Sequence, residues 1–259
     1  MSPKPTLVLV PGAWHSIEMW NKVSSLLEAQ QYRCISVPLP STAGDISVTF
    51  GQDVRAVQDA IRAETAKGRD VVIVVHSYGG AVGQSAIKGL ARPAQDESTS
   101  SSTDNSAGYV IGLVMMASGF GQTGMSFIDG LGGKPPPSWR TDPSGFAIIT
   151  VPARELFYHD LPVEEGEYWV GKLTKQALKP LMEGGEDSYS GWKDVPVWFL
   201  ATTDDHALPI QAQRMFVQLA QDAGGDVTTR DVASSHSPML SKPKETAEFI
   251  LEAVTSISR

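Results

Sequence analysis

Cysteine is nearly missing from this chain. Its 259 residues include one, Cys34, so no intramolecular disulfide can form and no thiolate cluster can hold a metal. Cys34 lies in an apolar, strand-like run and reads as a small buried core residue. Positive charge is also short. The 21 Lys and Arg face 29 Asp and Glu, a formal net charge of −8 with histidine neutral. That balance speaks against nucleic acid and against an anionic membrane as partners. Long apolar runs are lacking too. The N-terminal run Leu7–Val10 is far too short for a signal segment or a membrane span, and a soluble, cytoplasmic protein is expected. No zinc-type spacing, P-loop or dinucleotide fingerprint occurs, so no cofactor and no metal are expected. A small-molecule substrate and a monomer or homodimer are the expectation that remains.

What is present is enough for one large α/β domain with an insertion, since 41% of the residues are hydrophobic. The chain is organised around residues 71–80. Val71 to Val75 are five consecutive β-branched residues, a strand buried on both faces. His76-Ser77-Tyr78-Gly79-Gly80 then breaks the pattern, and residues 81–88 read as a helix. Strand, sharp turn with Ser77 at its apex, and helix make a nucleophile elbow. The turn lifts the hydroxyl out of the sheet, and the helix N-terminus behind it favours an anion. One position departs from G-x-S-x-G: the first glycine is Val75. Either the neighbouring loop makes room for its side chain, or the elbow is looser than usual.

Elsewhere the pattern alternates strand and helix. Strands are expected at 6–10, 32–37, 71–75, 109–116, 195–201 and, at an edge, 226–231. Helices are expected at 16–30, 48–67, 81–88, 210–223 and 243–257. This order implies a mostly parallel central sheet of about six strands flanked by helices, with right-handed crossovers. Residues 93–107 are rich in Ser, Asp, Glu, Asn and Thr without a large apolar residue and are expected to be a mobile surface loop. Between 120 and 194 the texture changes to Gly- and Pro-rich pieces with scattered aromatics. This reads as an inserted helical cap, with short helices at 151–158 and 164–175, on a core formed by 1–119 and 195–259.

A serine hydroxyl needs a base, and the base an orienting carboxylate. In a parallel sheet such groups collect beyond the C-terminal ends of the strands. The loop after Ala201 carries Asp204, Asp205 and His206; the loop after Asp231 carries His236. The resulting chain order, Ser77, then Asp204 or Asp205, then His236, is that of the α/β-hydrolases. His206 sits beside the carboxylates rather than on its own loop. His15 and His159 read as structural or lid histidines, and His76 is expected to point back to the sheet side of the elbow. An oxyanion hole needs two backbone N–H donors. Tyr78, after the nucleophile, should give one, and Ala13, or else Trp14, the other. Trp14, Phe120, Trp139, Phe157 and Trp169 are the expected pocket aromatics.

Pro11-Gly12-Ala13-Trp14-His15, the elbow, Thr203 to Pro209 and Ser235 to Pro243 resemble the α/β-hydrolase superfamily, and within it the branch of plant methyl esterases, hydroxynitrile lyases and their microbial relatives. The resemblance covers nearly the whole chain. It implies an α/β-hydrolase fold, Asp205 as the triad acid, His236 as base, and Ala13 and Tyr78 as oxyanion donors. Departures narrow the activity. Lyase members carry Thr at the position of Gly12 and Lys at that of Ser237, so lyase activity is not expected. Esterase members commonly have Gly at the position of Val75, and plant members His at that of Pro11. The expected function is therefore a serine esterase or lactonase for a small, largely apolar molecule. The alternatives are C–C cleavage or cyclisation with His236 as base, and a ligand-binding, hydrolase-like receptor.

Overall fold

The computed structural model describes residues 4–93 and 107–258. Most of the stretch expected to be a mobile loop, 94–106, lies outside the described residues. The first half alternates as expected: β1 (Thr6–Val10), α1 (Asn21–Ala29), β2 (Cys34–Ser36), α2 (Phe50–Thr65), β3 (Val71–His76), α3 (Gly79–Ala86) and β4 (Val110–Met116). The expected helix at 16–30 divides into a 3-10 turn, Ile17–Trp20, and α1. α2 starts at a capping box, with Thr49 and Gln52 each bonding the other's backbone.

Between β4 and the next sheet strand lies the insertion. It holds α4 (Phe127–Gly130), β5 (Trp139–Thr141), β6 (Phe146–Ile149), α5 (Ala153–Phe157), α6 (Val163–Val170), β7 (Gln176–Ala177) and α7 (Lys179–Met182). It carries short helices, and β5, β6 and β7 form a small antiparallel sheet that the sequence does not announce. The core then closes with β8 (Val197–Thr202), α8 (Ile210–Asp222), β9 (Val227–Val232), α9 (Pro238–Ser241) and α10 (Pro243–Ile257).

The main sheet has six strands in the order β2-β1-β3-β4-β8-β9, and every neighbouring pair is parallel. Period-2 alternation sorts its side chains into two core layers. Val8, Val10, Ile73 and Val75 pack with α2, α3 and α8; Leu7, Leu9, Val72 and Val74 pack with α1 and α10. β9 is the exposed edge, as its polar sequence implies.

Strand order fixes where a site can form. From β1 the chain moves outward to β2, then returns past β1 to β3. Successive connections therefore leave on opposite sides at the carboxyl ends of β1 and β3, opening a crevice there. The loop after β1 carries Ala13, and the turn after β3 carries Ser77.

Candidate active site

Ser77 has φ 51°, a left-handed conformation that costs a non-glycine residue on the order of 1 kcal/mol. Surrounding bonds hold it there. Its N–H donates to Met116 O at 3.1 Å, and its carbonyl accepts from Gly80 N at 2.8 Å and from Ser118 Oγ at 2.7 Å. The elbow is therefore sharp in spite of Val75. Room for the valine comes from the helix rather than from the neighbouring loop. A Cβ on Gly83 of α3 would lie 2.4 Å from Val75 Cγ1. The glycine missing from the turn is thus replaced by one that faces Val75 from the helix.

Asp205 and His236 meet as the chain order implies. His236 Nδ1 lies 2.8 Å from Asp205 Oδ2. The carboxylate is otherwise saturated: Thr202 Oγ1 donates at 2.8 Å, Gln213 Nε2 at 3.2 Å, and the N–H groups of Ala207 and Leu208 at 2.8 Å each. Burial acts to raise the Asp205 pKa, but the charge and hydrogen bond of His236, with the Leu208 N–H and the Thr202 hydroxyl, outweigh it and hold the carboxyl below the usual range. Asp204, the competing candidate, is exposed and binds His159 Nε2 at 3.1 Å instead.

Ser77 and His236 share the wall of one cavity of about 820 Å3. Among the described residues no hydrogen bond joins Ser77 Oγ to His236. Ala13 and Tyr78 line the same cavity, and neither backbone N–H donates to another described residue. Trp14 N–H, the alternative donor, is taken by Gln176 Oε1 at 3.3 Å. Below the cavity the Tyr78 hydroxyl donates to Asp53 Oδ2 at 2.8 Å, and Asp53 also accepts from Ser41 N at 2.9 Å. Burial raises the pKa of Asp53 despite these bonds.

Of the expected pocket aromatics, Trp14, Phe120, Trp139 and Phe157 line the cavity. Trp169 does not. α6 turns it into the opposite core layer, against Met19 and Tyr158, because that helix buries only the face carrying Gly166 and Trp169.

Two further histidines sit beside His236. His76 does not point back to the sheet side. Its Nε2 lies 2.8 Å from the His236 carbonyl oxygen, and the two rings are 4.7 Å apart. Since the carbonyl only accepts, Nε2 carries the proton. Burial first, then the neighbouring His236 and His15, hold the His76 pKa well below the usual value. A Cβ on Gly12 would lie 2.8 Å from its Nδ1, so the Thr of the lyase members has no room here. His15 is buried in the other direction, with Nδ1 2.7 Å from Ala13 O and Nε2 2.7 Å from the Tyr158 hydroxyl. Its pKa is held to about 4, chiefly by burial. No sequence signal marks the Tyr158 contact, which spans 143 residues.

His159, Asp204 and His206 bring three potential ligand atoms within 4.8 Å of one another. The two rings stack at 3.8 Å with 12° between their planes. Their nitrogen lone pairs therefore run side by side rather than converging on one point. His206 is further held by Nδ1 on Glu155 O at 2.8 Å. A shared ion would require one ring to turn. No helix among the described residues is long and apolar enough to cross a membrane.

Comparison with known proteins agrees with this fold. The profile of the "Alpha/beta hydrolase family" matches residues 7–249. The "Alpha/beta hydrolase nvfD" of Aspergillus novofumigatus is 26% identical over 254 residues, covering 96% of either chain. Among solved structures, a pyrethroid hydrolase from Sphingobium faniae superposes with a TM-score of 0.72 at 22% identity, over 97% of each chain. The methylesterase MES16 from Arabidopsis gives a TM-score of 0.72 at 18% identity, over 97% of this chain and 99% of its own. At these identities the two structures establish likeness of fold.

Proposed function

The chain belongs to the alpha/beta hydrolase family, and from that premise we propose that it is a serine hydrolase that cleaves a carboxylic ester or lactone of a largely apolar molecule. The observation that carries this reading is a left-handed Ser77 in the same cavity as a His236 whose Nδ1 is bound to Asp205. That bond leaves Nε2 to act as the base. Ser77 Oγ attacks the carbonyl carbon as His236 Nε2 takes its proton. The oxygen gains negative charge beside the Ala13 and Tyr78 N–H groups, which meet no other described partner. The C–O bond then breaks, and the alkoxide leaves with the proton from His236. Water attacks the acyl-enzyme through the same base, releasing the acid and restoring Ser77. Asp205 holds the imidazole in one tautomer and offsets its charge during both steps.

The cavity sets the substrate class. About 820 Å3 lies in the upper part of the range for sites that enclose a drug-sized ligand. Trp14, Phe120, Trp139 and Phe157 give it apolar walls, and all but Trp14 come from the insertion between β4 and β8. Substrate choice therefore belongs to the cap, and bond cleavage to the sheet.

The test is intact-mass analysis after treatment with a fluorophosphonate. One adduct per wild-type chain is expected, and none on Ser77→Ala. His236→Ala should react at least about 100-fold more slowly, as loss of a general base implies. A folded wild type without an adduct would overturn the reading.

A second reading draws on the missing hydrogen bond between Ser77 and His236. In it, His236 with Asp205 is a base that deprotonates a bound substrate for C–C cleavage or cyclisation, and Ser77 only contacts the substrate. Under that reading Ser77→Ala keeps turnover while His236→Ala abolishes it.

A further inference from the structure

Of the two proposed oxyanion donors, Tyr78 lies in the two-residue turn that joins β3 directly to α3, whereas Ala13 lies on a longer loop. Ser77 and Tyr78 are fixed by β3 and α3, but residues 11–16 form an open loop between β1 and a 3-10 turn. A donor on a loop stabilises an oxyanion only if its position is fixed before the charge develops. Within the loop, His15 N donates to Gly12 O at 3.3 Å, and four further bonds tie it down. Trp14 N–H donates to Gln176, Trp14 Nε1–H donates to Ala147 O at 3.0 Å, and Thr174 N donates to Trp14 O at 2.8 Å. Those three all act on Trp14. The fourth acts on Ala13 itself, through His15 Nδ1 on the Ala13 carbonyl at 2.7 Å.

His15 is in turn fixed by Tyr158, the residue directly after α5 in the insertion. Proton placement along this chain is determined. The Ala13 carbonyl can only accept, so Nδ1 carries the hydrogen and Nε2 is bare. Nε2 then accepts from the Tyr158 hydroxyl, which has no other described partner. Both side chains are buried, at 4% and 0% exposure, where an unmade bond is expensive. Phe157 packs against the same ring at 5.2 Å and against His236 at 5.6 Å. Neither His15 nor Tyr158 lines the cavity.

We propose that His15 and Tyr158 are a positioning pair for the oxyanion hole, linking the inserted cap to the Ala13 N–H. The proposal rests on the reading of Ala13 as an oxyanion donor. It assigns the pair no contact with substrate. Seating of α5 on the core fixes the Tyr158 hydroxyl, the hydroxyl fixes the imidazole, and the imidazole fixes the peptide that carries the donor.

Three variants of the full chain separate the links. Asn at position 15 sets its amide near the place of Nδ1, so His15→Asn keeps a donor to Ala13 and loses Tyr158. Gln reaches the place of Nε2, so His15→Gln keeps Tyr158 and loses Ala13. Tyr158→Phe leaves the imidazole in place without its outer anchor. With p-nitrophenyl esters as probe, well below the melting temperature, His15→Gln should lose about 10- to 100-fold in kcat with KM nearly unchanged, less than the ~10²–10³ of deleting a donor outright. His15→Asn should recover most of that loss, and Tyr158→Phe should lie between. A general loss of folding would not be rescued by Asn over Gln. Unchanged kcat in His15→Gln, parallel movement of kcat and KM, or an Asn variant no better than the Gln variant would each overturn the proposal.

Hydrogen exchange at the Trp14 and His15 amides supplies a readout that needs no turnover. It should quicken in His15→Gln and Tyr158→Phe and return toward wild type in His15→Asn. If wild type reacts with neither ester nor fluorophosphonate, the hydrolase reading falls, and exchange still decides the anchor. Unaltered exchange in His15→Gln would overturn it.

Discussion

The pair Val75 and Gly83 makes the elbow of this chain testable by exchanging their sizes. Both residues are buried, and a Cβ added to Gly83 would lie 2.4 Å from Val75 Cγ1 and 3.3 Å from Ile73 Cγ2. The first distance is far inside van der Waals contact, and neither strand nor helix can yield cheaply in a packed layer. Gly83→Ala gains about 1 kcal/mol of helix propensity and loses about 1–3 kcal/mol to overpacking. It should therefore destabilise by up to about 2 kcal/mol. Val75→Gly removes a buried side chain worth about 1.5–3 kcal/mol and adds about 0.5–1 kcal/mol for glycine in a strand. In the double variant the methyl added at position 83 occupies space that the valine has vacated. The two changes should then couple favourably by about 1–3 kcal/mol. Urea unfolding of wild type, both single variants and the double variant measures this coupling directly, provided the m-values agree. Additivity within about 0.5 kcal/mol would refute the view that Gly83 accommodates Val75. The fluorophosphonate rate on the same four proteins reports whether the elbow changes shape. It should fall in Gly83→Ala and recover in the double variant.

Two further outcomes follow from the electrostatics. Asp205→Asn should reduce kcat for ester hydrolysis by about 10⁴-fold, since an amide at that place favours the wrong imidazole tautomer. Asp204→Asn, which disturbs only exposed contacts with His159 and His206, should change it by less than about 3-fold; equal effects of the two in steady-state assays would reverse the assignment of the acid. His15 has a folded pKa of about 4 against an ordinary 6.5. The unfolded chain therefore binds more protons between those values, and stability from this residue is complete above pH 6.5 and lost as pH falls toward 4. The loss between about pH 7 and about pH 5 should be about 2 kcal/mol from His15. His76 shifts in the same direction and adds to it. Urea midpoints at the two pH values should show this drop, and His15→Gln should show a smaller one; an equal drop in both would refute the linkage.

The sequence is legible where one interaction dominates over a short span. Val71 to Val75, five β-branched residues in a row, read as a strand buried on both faces, and the loops that follow β8 and β9 bring an acid and a base in that chain order, with two adjacent aspartates leaving the acid open. Asp205 and His236 meet for this reason. Contacts between remote segments are not legible. Gly83 compensates for Val75 across a helix–strand interface, and nothing in either local pattern announces it. β5, β6 and β7 are two to four residues long, too short for periodicity to register, and they exist through pairing with one another. Trp169 sits on a short helix whose buried face is decided by the neighbours of α6. Strand alternation sends His76 to the sheet side, but the last residue of a strand is free to follow the loop it meets, here the one carrying His236.

Of the three clustered histidines, the surroundings favour His236 as the base of the proposed reaction. The His76 ring lies within 5.6 Å of His15 and 4.7 Å of His236, so a second proton in the cluster would face an adjacent cation in a poorly solvated space. His15 and His76 each spend their protonated nitrogen on a backbone carbonyl and face no carboxylate among the described residues. His236 alone combines a carboxylate at 2.8 Å with a place on the cavity wall. Burial without a counter-charge keeps the first two neutral, and that neutrality serves the third. When His236 takes a proton, the positive charge meets Asp205 on one side and no competing cation on the other. The same burial that makes His15 and His76 unfit as bases lets them act as rigid struts, one under the Ala13 peptide and one under the backbone of His236 itself.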